Sequence, residues 1–302
     1  MLSYATIQEL ARQSGFDACG VARAEALPLF EEHLRRWLAA GCQGSMAYME
    51  EHVEMRADPR RLMEGTKSVV SVLLGYKPSQ TMKGTHRIAQ YAYGADYHHT
   101  MKQQLYRLLL ALQERYPHLE GRPCVDTAPI SDQSWAQRSG LGWIGKNTLL
   151  VNPYLGTYCF VGELLINQEV DHYDTPIDNL CGDCQKCLQA CPNQALQHEG
   201  THYWVDANRC ISYNTIENRN PQLPSQLKLA GYAYGCDCCQ QACPYNATAP
   251  VKLTVSNELL ESLEQLADAD ESTFKHFVKH RAMNRIKYWQ WRRNIDHKTK
   301  VS

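Results

Sequence analysis

The 302-residue sequence lacks an excess of charge of either sign, a long apolar run and an internal repeat. Its formal net charge is −1, so any nucleic-acid surface would have to be local rather than a property of the whole chain. The apolar run at residues 69–74 is far shorter than the roughly 20 residues that a membrane-spanning helix needs. Residues 1–6 carry neither a basic region before an apolar stretch nor a twin-arginine signal. We therefore expect a cytoplasmic protein without a membrane partner.

Cysteine, in contrast, is abundant, and nine of the thirteen cysteines lie between Cys181 and Cys243. A reducing compartment disfavours structural disulfides, so clustered cysteines indicate metal binding. The run from Cys181 to Pro192 has the C-x2-C-x2-C-x3-C-P spacing of bacterial ferredoxins, and residues 236–244 repeat half of it. Paired CxxC motifs also suit zinc, which is the alternative. The x2, x2, x3, Pro pattern favours two 4Fe–4S clusters.

The spacing also assigns the ligands of each cluster. In two-cluster ferredoxins the cysteine before proline binds the other cluster. On that rule, the ligands of one cluster are Cys181, Cys184, Cys187 and Cys243. The ligands of the second are Cys191, Cys236, Cys239 and the intervening Cys210. Eight ligands complete two clusters, and Cys238 is left without a role.

Hydrophobic periodicity predicts an α+β protein. Strands are expected near 17–22, 68–76 and 158–166, and a helix over 101–116 that Pro117 ends. We divide the chain into an α/β domain (1–175), a bacterial ferredoxin-like domain (176–250) and a short helical C-terminal segment (251–302).

The C-terminal segment is basic and aromatic. Residues 274–302 contain nine Lys or Arg against one acid, with five aromatic residues interleaved. Bases of an RNA could stack on these rings while the cations neutralise phosphates. The alternative is an amphipathic helix whose aromatic rings pack on the protein.

Three further segments stand out, at residues 91–99, 125–130 and 140–149. Dense glycines around Trp143 would let the backbone approach a flat ligand closely. The spacing fits neither a dinucleotide-binding fingerprint nor a Walker loop. Taken alone, the third segment is equally consistent with a glycine-rich connecting loop.

Together these segments resemble the epoxyqueuosine reductase family. The resemblance covers most of residues 1–250 in the same order. One departure is Ser131-Asp132-Gln133, where the family often has a Glu-Arg pair. The resemblance also supports Cys210 as a ligand. The matching stretches are Tyr93–His98, Val125–Pro129, Gly140–Asn147, the first cysteine run, Arg209–Glu217, Tyr234–Gln240 and Cys243-Pro244.

The resemblance implies reduction of the epoxide of epoxyqueuosine, already in tRNA, to the alkene of queuosine. Two electrons and two protons are consumed and water leaves. It implies a cobalamin in the first domain, two 4Fe–4S clusters that supply its electrons, an external electron donor, and the anticodon region of tRNA as partner.

Asp126 is the catalytic acid that this resemblance implies, and it also contacts the cofactor. A donor must be protonated, so we expect burial to raise the pKa of Asp126. The alternative is an aspartate that shapes the turn before Pro129. His98, His99 and Asp96 either shape the cofactor or substrate site or are ordinary residues at a helix start, with Asp96 as its cap.

Five other residues are assigned to cofactor binding. Arg56 would contact a polar group of cobalamin, although a solvated loop arginine is the alternative. Ser212 begins a polar strip that either faces the anticodon loop or packs around a cluster. The glycine-rich segment contributes Trp143, Lys146 and Asn147.

Two other functions use related cofactors. A corrinoid reductive dehalogenase should carry a twin-arginine export signal, and residues 1–6 show none. A ferredoxin subunit without catalysis would leave the large N-terminal region without a purpose.

Overall fold

The structure is a computed structural model that describes residues 1–297. Its strands are β1 Ala18–Arg23, β2 Ser68–Gly75, β3 Arg87–Ile88, β4 Gly121–Cys124, β5 Trp143–Ile144, β6 Leu150–Val151, β7 Cys159–Ile166, β8 Leu196–Glu199, β9 His202–Val205 and β10 Tyr232–Tyr234. Its α-helices are α1 Tyr4–Gln13, α2 Pro28–Ala39, α3 Val53–Ala57, α4 Tyr97–Arg115, α5 Asp132–Arg138, α6 Lys186–Ala190, α7 Ile211–Ile216, α8 Cys238–Gln241, α9 Tyr245–Thr248, α10 Asn257–Gln265, α11 Glu271–Val278 and α12 Tyr288–Asp296. No helix within residues 1–297 is long and apolar enough to cross a membrane.

The N-terminal half is built on a four-stranded antiparallel sheet with strand order β1-β2-β7-β4. Successive side chains of a strand point to opposite faces. Val70 and Val72 of β2 therefore pack with α1 and α4, whereas Val69 and Leu73 belong to the cores on the other face, where α5 lies. The three predicted strands and the α+β class are confirmed.

Helix α4 confirms the predicted helix but begins four residues earlier. The Asp96 side chain accepts a hydrogen bond from the backbone N–H of His98 at 3.1 Å and caps the helix. The apolar face of α4 is buried against the sheet through Met101, Leu105 and Leu108. The cap interpretation of Asp96 is therefore confirmed, and it places His98 in the first turn.

In the cysteine-rich region, each cysteine run contains a short helix, α6 after Cys184 and α8 from Cys238. Helices α6 and α8 pack against each other. The β8–β9 hairpin contacts the N-terminal half, where the Trp37 side chain donates to the Val205 carbonyl at 2.7 Å. Helix α7 also contacts it, since the Tyr213 hydroxyl accepts from the Ser45 backbone N–H at 2.6 Å.

The C-terminal helices pack into a second core that buries Phe274 and Trp291, whereas Trp289 stays 44% exposed. The Phe274 and Trp291 rings stack with centroids 5.5 Å apart and are buried with Tyr93 and Tyr234. Arg293 donates to three backbone carbonyls at 2.6–2.8 Å. The prediction that these rings stack on RNA is therefore wrong for Phe274 and Trp291, since they fill the core. Lys298 to Ser302 lie outside the described residues.

This second core joins residues 82–97, 216, 233–234 and 255–291. Side chains from all three predicted segments therefore share it. The division of the chain at 175 and 250 stays a prediction.

Candidate active site

A cavity of about 1610 Å³ separates the sheet from the cysteine-rich region. Pockets for ordinary small ligands have volumes of about 300–1,000 Å³, so this cavity has room for a larger group. Helix α2 forms an apolar wall with Phe30, Leu34 and Trp37. The residues that line the rest include Arg56, Tyr97, His98, Asp126, Asp132, Tyr203, Trp204, Cys210, Ser212, Glu217 and Arg285.

Asp126 lies on the loop after β4 with a backbone φ of +47°. Aspartate tolerates this left-handed conformation better than β-branched residues do. The Oδ2 atom accepts from His98 Nε2 at 2.8 Å and from the Tyr97 hydroxyl at 3.2 Å. The Oδ1 atom has no hydrogen-bond donor within residues 1–297, and 58% of the side chain is accessible. One carboxylate oxygen is therefore held and the other is available to a ligand.

The prediction of a raised pKa for Asp126 is wrong. The hydrogen bond from His98 lowers its pKa, and this effect exceeds the opposing effect of burial. For His98, burial acts to lower the pKa, but hydrogen bonds to Asp126 and Asp96 together raise it. His98 Nδ1 lies 2.7 Å from Asp96 Oδ1. The open site therefore favours a proton on His98 and a charge on Asp126.

Arg56 lies on the cavity wall at α3. Its guanidinium donates to the backbone carbonyls of Tyr48 at 3.1 Å and Glu51 at 3.4 Å, and burial lowers its pKa. It is therefore fixed by the backbone and is not a freely solvated loop arginine. Ser212, at the start of α7, also lines the cavity.

Two cavity residues, Glu217 and Arg285, and the buried Glu163 were given no role from the sequence. Glu217 and Arg285 form a two-pronged ion pair at 2.8 and 3.0 Å, and Arg285 also acts electrostatically on Asp126. Glu163 of β7 is fully buried beside Asp132, the first residue of α5. A single acid within an otherwise apolar strand was a visible signal for Glu163. Nothing in the sequence pairs Glu217 with Arg285.

Trp143, Lys146 and Asn147 do not line the large cavity. Trp143 Nε1 donates to Cys181 Sγ at 3.4 Å, and Lys146 Nζ donates to the Gly182 carbonyl at 2.6 Å. Lys146 and Asn147 line a separate pocket of about 350 Å³. The neighbouring glycines permit a tight β5–β6 hairpin, since a Cβ on Gly145 would lie 2.8 Å from Val151 Cγ2. A cobalamin contact for these three residues stays a prediction.

The small pocket is lined by the cysteines that the spacing assigns to one cluster: Cys181, Cys184, Cys187 and Cys243. The amide Nδ2 of Asn147 is buried in this region without a hydrogen-bond acceptor within residues 1–297. Amide and indole N–H groups directed at sulfur are usual around iron–sulfur clusters. The donor set therefore fits a 4Fe–4S cluster.

The second group of cysteines adjoins the large cavity. Burial raises the pKa of the Cys239 thiol, and the nearby Cys210 and Cys191 raise it further. Cys238 lies close enough to Cys236 to raise the pKa of its thiol. Cys210 lines the cavity that holds Asp126. The second predicted cluster site is therefore the one beside the candidate active site.

Comparison with known proteins gives the same two regions. The family model described as "Epoxyqueuosine reductase QueG, DUF1730" matches residues 56–127. The model described as "4Fe-4S double cluster binding domain" matches residues 180–246, which decides against the zinc alternative.

Whole-chain comparisons agree with these matches. The epoxyqueuosine reductase of Leadbetterella byssophila is 40% identical over 295 residues, which are 96% of each chain. The solved epoxyqueuosine reductase of Streptococcus thermophilus superimposes with a TM-score of 0.86 at 29% identity, covering 96% of this chain and 79% of that one. Another was solved with an epoxyqueuosine-modified tRNA stem loop and has a TM-score of 0.83 at 28% identity, with the same coverage. The chain therefore belongs to the epoxyqueuosine reductase family.

Proposed function

We propose that this chain is an oxidoreductase that reduces the epoxide of epoxyqueuosine in tRNA to the alkene of queuosine. One observation carries the proposal: a single large cavity has the Asp126–His98 pair on its wall together with the cluster cysteine Cys210. Protons and electrons can therefore be delivered to one bound substrate. Membership of the reductase family supports this activity over that of a dehalogenase or a ferredoxin subunit.

Cobalamin is the cofactor that we assign to the cavity. The volume exceeds that of ordinary ligand sites, the wall formed by Phe30 and Trp37 suits a broad flat ring, and Arg56 offers donors to its polar edge. When bound, cobalamin would supply a low-valent cobalt as the reductant that attacks the epoxide carbon. The residues of this chain therefore have to hold it, exclude water and deliver protons.

The cysteine groups support a direction for electron flow. Cys210 borders the cavity, whereas the group that contains Cys181 has a pocket of its own. Cys187 acts electrostatically on Cys239, so the two groups are neighbours. We infer that electrons from an external donor enter at the Cys181 group and reach the cavity from the Cys210 group.

Asp126 is the acid in this proposal, and His98 controls its protonation. Before substrate binds, Asp126 is ionised and His98 holds the proton. A substrate that fills the cavity removes water from the exposed Asp126 side chain, which raises its pKa. The proton then moves from His98 Nε2 to Asp126, which donates it to the departing epoxide oxygen.

The anticodon region of tRNA is the substrate-bearing partner in this proposal. A solved relative holds an epoxyqueuosine-modified stem loop, which supports the assignment. Tyr48 is 41% exposed at the cavity and offers a ring on which a base can stack. We also propose a cytoplasmic location, because tRNA and reduced cysteine clusters are both found there.

The test is a turnover assay on anaerobically reconstituted protein. Protein with both clusters and cobalamin is mixed with an epoxyqueuosine-modified stem loop and a chemical reductant, and nucleosides are analysed by mass spectrometry. We expect loss of one oxygen atom from the modified nucleoside. An unchanged nucleoside, with the clusters reduced and cobalamin bound, would contradict the proposal.

A further inference from the structure

Two carboxyl groups near Asp126, the fully buried Glu163 and the partly buried Asp132, have no part in the proposed mechanism. Glu163 of β7 is 0% exposed and pairs in register with Cys124 of β4. Strand alternation directs Leu164 towards α1 and α4, so Glu163 points to the opposite face, where Asp132 begins α5. The two carboxyl groups lie close enough for each to shift the pKa of the other.

This pair needs a proton to be stable. Asp132 Oδ1 and both carboxylate oxygens of Glu163 are buried and have no N–H or O–H donor within residues 1–297. Two ionised carboxylates in contact would repel each other without a compensating donor. A proton shared between them turns one carboxylate into the donor that the other lacks.

The surroundings allow this proton to be held and released. Burial raises the pKa of Asp132 to about 6, and burial raises that of Glu163 well above its usual range. The charge of Asp126 also raises the pKa of Asp132, whereas the charge of Arg56 lowers it. The other titratable neighbours are Tyr97, which interacts with Asp132, and Cys124, which interacts with Glu163.

We propose that Asp132 and Glu163 are a proton reservoir that returns a proton to Asp126 during each turnover. The inference rests on the proposed function, in which one epoxide reduction consumes two protons. The Asp126–His98 pair holds one, and the Asp132–Glu163 pair holds the other. Asp132 and Asp126 line the same cavity, which provides the route.

The proton transfer balances without any change in oxidation state. After Asp126 has given its proton to the epoxide oxygen, the O–H bond of the Asp132–Glu163 pair breaks and an O–H bond forms on Asp126. The pair is left with two charges beside Arg56. Water that enters when product leaves restores its proton through Asp132.

Glu163→Gln tests the reservoir. The amide donates a hydrogen bond to Asp132 and preserves the packing, but it carries no transferable proton. We expect the single-turnover rate of the reconstituted enzyme near neutral pH to fall by about 10²-fold, the low side of acid–base contributions. Glu169→Gln is the matched control, because Glu169 is an exposed partner of Arg23 away from the cavity.

The pH profile separates a reservoir from a packing role. A raised pKa means that the pair holds its proton at low pH and loses it as pH rises through that pKa. The wild-type rate should therefore fall on the alkaline side and converge with the rate of Glu163→Gln at high pH. An equal loss at every pH would indicate packing alone and would overturn the proposal, as would an unchanged rate.

Infrared spectroscopy provides a readout without substrate. The wild type near pH 6, but not the Asp132→Asn/Glu163→Gln double variant, should show the C=O stretching band of a buried protonated carboxylic acid. Absence of this band in the wild type would overturn the reservoir even if the variants fail to fold. Presence of the band in a wild-type protein that does not reduce epoxyqueuosine would contradict the proposed function instead.

Discussion

Asp126→Asn is the most direct test of how the cavity delivers a proton. Asparagine tolerates the left-handed backbone at φ +47° and preserves the shape of the side chain. It cannot donate a carboxylic proton. General acids contribute about 10²–10⁴-fold to rate, which corresponds to about 2.7–5.5 kcal/mol of activation free energy. We expect turnover to fall within that range.

The same substitution should change stability little. It breaks the hydrogen-bonded ion pair with His98, but the Asp126 side chain is 58% exposed. Exposed ion pairs contribute on the order of 1 kcal/mol or less to the free energy of unfolding. The large loss of rate should therefore come with a small change in the unfolding midpoint.

The assay is single-turnover reduction of the modified stem loop, with iron content and the cobalamin absorption spectrum measured on the same sample. Asp171→Asn is the control, because Asp171 is exposed and accepts a hydrogen bond from the Tyr4 backbone away from the cavity. Near-normal turnover of Asp126→Asn would refute the assignment. Loss of bound cobalamin would show that Asp126 is structural.

Four further predictions follow from individual contacts. Trp143→Phe removes the N–H donor to Cys181 Sγ. Because one hydrogen bond is worth about 1 kcal/mol, a redox titration should show the reduction potential of the cluster at Cys181 lowered by on the order of 40 mV. Cys238→Ser should leave about eight irons per chain, and lost iron would show that the ligand assignment is shifted. Arg293→Ala should lower the free energy of unfolding by about 2–3 kcal/mol in a denaturant titration, because its hydrogen bonds to buried carbonyls are lost. The salt dependence of tRNA binding should stay unchanged. His98→Gln should lower the free energy of unfolding more at pH 6 than at pH 9. The reason is that the raised pKa of His98 keeps its ion pairs charged at low pH, and they are lost as pH rises. Equal losses of stability at pH 6 and pH 9 would contradict this.

Elements with strong local signals were predictable. Buried strands such as β2 are short, apolar and β-branched, and α4 has one apolar face, so each pattern depends on neighbouring residues alone. The cysteine groups were also readable, because the loop that wraps a cluster requires a particular spacing. The four cysteines assigned to one cluster do line one pocket.

Contacts between distant segments were not predictable. The pKa of Asp126 depends on His98, which α4 brings to it from another part of the chain. Burial alone predicted a raised value, and the hydrogen bond reversed the direction. In the same way, nothing in the sequence indicates that the Trp143 indole N–H meets Cys181, a contact that the β5–β6 hairpin sets up.

By itself, the sequence determined the cluster chemistry, the α+β class and the family to which the chain is related, because spacing, periodicity and motif order are properties of consecutive residues. Only the tertiary structure decided which groups share the cavity and in which direction their pKa values are shifted. It joined Asp126 to His98, buried Glu163 against Asp132, and placed Trp291 in a core instead of on an RNA surface. Those outcomes depend on burial and on hydrogen bonds between residues far apart in the chain.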